Sequence, residues 1–106
     1  MRRLALAALL ALAFPAAAAA HATMEQSTPG FQQELRRAPA VVRLRFDQAV
    51  TVFPDSIVVV DATGRRVSRT AAADGDPRAL HVPLGRTGRG AYTVRWHVMS
   101  ADGHVV

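Results

Sequence analysis

Val41-Val42-Arg43-Leu44-Arg45-Phe46 alternates, so Val42, Leu44 and Phe46 share one face while Arg43 and Arg45 share the other. A period of two belongs to a half-buried strand, because successive side chains leave a strand on opposite sides. Downstream, Ser56-Ile57-Val58-Val59-Val60 is short, apolar and β-branched, which suits a strand buried on both faces. Asp61-Ala62-Thr63-Gly64 is a turn signal. Leu80, Val82 and Leu84 share a face, and Pro83 marks a strand end or an edge. After a loop with three glycines, Gly85 to Gly90, the residues Tyr92, Val94, Trp96 and Val98 alternate with Thr93, Arg95, His97 and Met99. Upstream, Ser27-Thr28-Pro29-Gly30 and Arg37-Ala38-Pro39 read as loops, with a helical turn expected between them over Phe31 to Arg36. Short strands, spaced turns and no amphipathic helix predict an all-β domain, a β-sandwich or Greek-key barrel.

Residues 1–20 read as a signal peptide. Arg2 and Arg3 supply the positive start, Leu4 to Phe14 the apolar stretch, and the alanine run up to Ala20 the A-x-A cleavage sites. The apolar stretch is too short to span a bilayer comfortably, so no membrane span is expected in the mature chain. Ala18-Ala19-Ala20 places the cut before His21, whereas Ala20-His21-Ala22 would place it before Thr23. The expected domain is then residues 21–106, one small unit that buries only about 60% of its extended surface. There is no cysteine, which excludes disulfides, thiolate metal sites and cysteine nucleophiles. Two of the 13 basic residues lie in the leader, so eleven arginines face eight acids and the mature domain carries +3. They are scattered rather than clustered with aromatics, and export argues against a nucleic-acid partner.

The chemistry gathers at two places. Cleavage before His21 would free an α-amine beside an imidazole, and the two can close a chelate ring on one metal ion. Asp102 and His104, two apart in Ser100-Ala101-Asp102-Gly103-His104, leave an extended segment on the same side. Gly103 can adopt φ > 0 and let them converge. Imidazole, amine and carboxylate suit a tetragonal N/O site, the geometry expected of Cu(II). His81 and His97 read as structural, Met24 and Met99 as packing residues, and Trp96 as core. Ser100, Asp102 and His104 lie too close in sequence to form a hydrolytic triad.

An ordered set of motifs resembles the CopC family of periplasmic copper-binding proteins. It comprises His21-Ala22, Ser27-Thr28-Pro29, Ala38-Pro39, Val42-x-Leu44-x-Phe46, Ile57-Val58-Val59, Asp61-x-x-Gly64, Leu80-x-Val82-Pro83-Leu84, Gly90-x-Tyr92-x-Val94-x-Trp96 and Ser100-Ala101-Asp102-Gly103-His104. The resemblance implies a seven-stranded Greek-key β-sandwich, similar to immunoglobulin-like and cupredoxin folds. It also implies one Cu(II) per chain, held by His21 through amine and imidazole, by Asp102 and by His104. The implied role is a non-enzymatic carrier or buffer in copper homeostasis and resistance, periplasmic or extracellular, with a membrane copper transporter as partner. Three alternatives remain: the N-terminal copper-binding domain of a copper-transport membrane protein, a histidine-brace copper oxygenase, and a plain sandwich module without metal, used for adhesion or interaction.

Three departures from the family pattern stand out. After the leader, only Met24 and Met99 remain as thioethers, so a methionine-rich Cu(I) site is not expected. Gln48 stands where many members carry an acid near the copper. The chain stops at Val106, where a further strand would begin, so a truncated sandwich lacking its last strand is expected.

Overall fold

The computed structural model describes residues 22–106. The expected leader and His21 therefore lie outside the described residues. Six strands follow one another: β1 (Met24–Thr28), β2 (Val41–Phe46), β3 (Ile57–Val60), β4 (Ala72–Ala73), β5 (Ala79–Pro83) and β6 (Thr93–Trp96). All named pairings are antiparallel. One sheet has the order β1-β2-β5-β4 and the other pairs β3 with β6. The chain changes sheet between β2 and β3, between β3 and β4, and between β5 and β6, the Greek-key habit of a sandwich. Among the described residues no helix forms, and none is long and apolar enough to cross a membrane.

The alternation in β2 works as its spacing predicts. Val42 faces Val82 and Leu44 faces Leu80 across the β2–β5 ladder, and all four are buried. Phe46 is wholly buried and meets Trp96 of the other sheet edge to face, with ring centroids 5.4 Å apart at 65°. Ile57, Val59, Val67, Ala71 and Val98 complete the core between the sheets, joined by Ala22 at the start of the described chain. Burying such side chains stabilises by roughly 1.5–3 kcal/mol each, and interdigitation across the two sheets is what holds the sandwich together.

The opposite face of the larger sheet is electrostatic. Arg43 Nη1 lies 2.6 Å from Asp74 Oδ2 and Arg45 Nη1 lies 3.3 Å from Asp76 Oδ2. His81 sits opposite Arg43, with Nδ1 3.5 Å from Asp74 Oδ1. The arginines that looked merely scattered are thus paired with acids 31 residues away, a spacing that only the sheet brings together.

Several local expectations are corrected. Ser27 and Thr28 are not loop: they end β1 and pair with Leu44 and Arg43. Its side chains do not announce this polar strand, because edge pairing uses backbone groups and asks little of them. Phe31 to Arg36 holds a single turn, Gln33 N–H donating to Gly30 O at 3.1 Å, and no helix. Phe31 is 92% exposed and Leu35 46%, so no apolar stripe packs to sustain one. The face Tyr92, Val94, Trp96 and Val98 is buried unevenly. Val98 is fully buried and Tyr92 and Trp96 pack on the core, but Val94 is exposed. It faces Val59 in a sheet of two strands, with no third strand beside β6 among the described residues.

Candidate metal centre

Beyond β6 the chain runs on through Val98 and Met99, turns at 101–103, and returns. Val98 and Val106 exchange backbone hydrogen bonds of 3.0 and 2.8 Å, and Met99 bridges both Thr51 and Val105. Ser100 N–H donates to His104 O at 2.8 Å, and Gly103 N–H to Ser100 O at 3.0 Å. Asp102 and His104 therefore occupy the tip of a hairpin. Its turn needs Gly103 at φ 84°, a left-handed conformation that costs glycine nothing.

The tip is wired through one carboxylate. Asp102 Oδ1 accepts from the buried Ser100 hydroxyl and, at 3.2 Å, from His104 N–H. Asp102 Oδ2 lies 2.7 Å from His104 Nδ1. These donors, the Ser100 hydroxyl first and the His104 ring second, hold the Asp102 carboxyl far below the usual carboxylate range. It is an anion at any physiological pH. A carboxylate offers about four acceptor sites; two donors share Oδ1 and one uses Oδ2, so Oδ2 keeps a position for a metal. Nδ1 and Oδ2 stand 2.7 Å apart, a span that one metal can bridge in place of the hydrogen bond between them. The His104 side chain is 66% exposed and Asp102 24%, so an ion can reach the pair from solvent.

The structure thus brings two of the three expected ligands together. His21, the third, lies outside the described residues. Among the described residues no group of three or more His, Asp, Glu or Cys is placed to hold a metal, so the pair needs a further donor. His97 is exposed and stacked on Phe53, with centroids 6.1 Å apart at 19°, and His81 belongs to the charged sheet face. Trp96 packs on the core as expected. A cleft lined by Asp61, Arg65, Arg89 and Tyr92 lies at the other end of β3 and β6, where Val60 faces Thr93.

Two residues that support the hairpin and the start of the domain were not singled out from the sequence. From the sequence Ser100 reads as part of a motif and as a triad member too close to its partners, yet its hydroxyl is the main support of Asp102. Asp47 follows β2, and its carboxylate accepts the Thr23 N–H at 2.8 Å. Ser100 had a signal in its two-residue spacing from Asp102; Asp47 had none, since its partner is 24 residues away.

Known proteins place the chain. Residues 24–106 match the CopC domain. Over 102 residues the chain is 34% identical to the copper transport protein CutJ of Bacillus subtilis, a match covering 92% of this chain and 19% of CutJ. It is 30% identical over 88 residues to protein YobA of Escherichia coli, covering 80% of this chain and 71% of YobA. The crystal structure of CopC from Methylosinus trichosporium OB3b superposes with a TM-score of 0.71 at 30% identity, over 81% of this chain and 85% of that one. A matching domain, relatives at this identity and a shared sandwich agree: the chain belongs to the CopC family.

Proposed function

We propose that the protein is an exported Cu(II) carrier or buffer serving copper homeostasis and resistance outside the cytoplasm. One Cu(II) is held by the amine and imidazole of His21, freed when residues 1–20 are removed, together with Asp102 and His104. The observation that carries this reading is the hairpin tip, where an ionised carboxylate orients an accessible imidazole. Two imidazoles, an amine and a carboxylate are borderline-to-hard donors, and divalent copper heads the stability order for them. Each ligand must be deprotonated to bind, so affinity falls in acid. The task is binding rather than catalysis; copper-dependent oxidative cleavage of a polysaccharide would refute that.

The test is a Cu(II) titration with electron paramagnetic resonance on protein that begins at His21, beside protein with one residue added before it. One equivalent of tight, nitrogen-rich tetragonal copper, badly weakened by the extension, is expected. Weak binding indifferent to the extension would sink the site. Mass spectrometry of the exported protein checks the cut, which must fall before His21 and not before Thr23.

A second reading makes this the leading domain of a copper-transport membrane protein, handing copper to the membrane part. The match to only 19% of CutJ, itself named a copper transport protein, favours it. Fractionating cells that express the whole gene separates the two: membrane-bound protein supports the second reading, free exported protein the first.

A further inference from the structure

The start of the described chain is held more firmly than an arm usually is. Thr23 N–H donates to Asp47 Oδ1 at 2.8 Å, and Asp47 N–H donates back to Thr23 O at 2.9 Å. Both backbone groups of Thr23 are thus spent on one residue. On either side, Ala22 is 6% exposed within the core, and Met24 opens β1 opposite Phe46, the residue just before Asp47. The chain is therefore pegged, clamped and paired at three successive residues, directly after His21.

We infer that Asp47 is a positioning residue that presents His21 and its freed amine to the metal. This rests on the His21–Asp102–His104 reading. Chain ends fray unless tied down, and ordering one backbone residue costs an equilibrium about 5- to 30-fold. A copper site that had to order Ala22 and Thr23 as it formed would lose that factor for each. The Asp47 clamp removes the cost before the metal arrives. Its role is that of an acceptor, so it does not depend on the carboxylate's charge, and an amide oxygen serves as well.

The experiment uses protein beginning at His21. Asp47→Ala should weaken Cu(II) binding about 10- to 100-fold, the range expected for support behind a ligand, and should speed exchange of the Thr23 amide in the metal-free protein. Asp47→Asn, which keeps the oxygen, should stay within about threefold of the parent. In a His21→Ala background, Asp47→Ala should change copper binding no further. Should Asp47→Ala fail to fold, Thr23→Pro, which removes the donor N–H as it fixes φ at this residue, should reproduce the loss. If His21→Ala abolishes tight copper while Asp47→Ala leaves it unchanged, the inference is overturned and the site stands. An Asn variant as weak as the Ala variant overturns it too, since charge would then be the operative property. If His21→Ala leaves copper untouched, the site reading falls, and the presentation of His21 to copper falls with it.

Discussion

Ser100→Ala probes the wiring of the hairpin tip. The hydroxyl is buried, donates to Asp102 Oδ1 and lies 3.1 Å from His104 O. Without it, Oδ1 keeps only the His104 N–H at 3.2 Å, and the carboxylate is free to turn. Removing support from a metal ligand costs 10- to 100-fold in affinity. Because the His104 ring still holds Oδ2 at 2.7 Å, the lower end applies, about tenfold. The hairpin itself survives, since the Ser100–His104 and Val98–Val106 backbone bonds do not involve the hydroxyl. Losing a buried hydroxyl's hydrogen bond costs about 1 kcal/mol, or roughly 4–8 °C in a domain of this size. The assay is Cu(II) titration against a competing chelator at pH 7, with thermal unfolding of the same samples. A mutant that binds within twofold of the parent would show that prearranging Asp102 contributes nothing. A drop of 20 °C or more would show that Ser100 holds the fold rather than the site.

Leu44→Ala should cost about 2–5 kcal/mol, because Leu44 is buried against Leu80 between the sheets; a urea midpoint that barely moves would contradict the core described here. Arg43→Ala breaks an ion pair whose side chains are 50% and 38% exposed, so equilibrium unfolding should change by about 0–1 kcal/mol, and a larger loss would mean the sheet face is a cooperative network. Asp61 is held at about 2 by Thr63 first and by the Arg65 backbone, below its ordinary 3.8. A depressed carboxylate stabilises the fold above its unfolded value, and that contribution fades as pH falls through about 2. The stability gap between the parent and Asp61→Asn should therefore narrow between pH 6 and pH 2; a gap equal at both would rule out the charged form as its source.

What the sequence determined is local. Alternation along Val41 to Phe46 and Leu80 to Val82 marks two strands and their buried faces, because steric period and hydrophobic demand act within a few residues. The Asp102-Gly103-His104 spacing likewise foretells a convergent pair, and the structure closes it to 2.7 Å. The polar β1 was illegible, since an edge strand is held by backbone bonds to β2 that its own side chains do not announce. The exposure of Val94 was hidden too, for alternation reports a face but not whether a neighbouring strand covers it. Nor could any local pattern show that Asp47 clamps Thr23, that Arg43 meets Asp74, or that Phe46 reaches Trp96. Those partners lie 24, 31 and 50 residues apart; strand pairing within the larger sheet decides the first two, and the stacking of one sheet on the other decides the third.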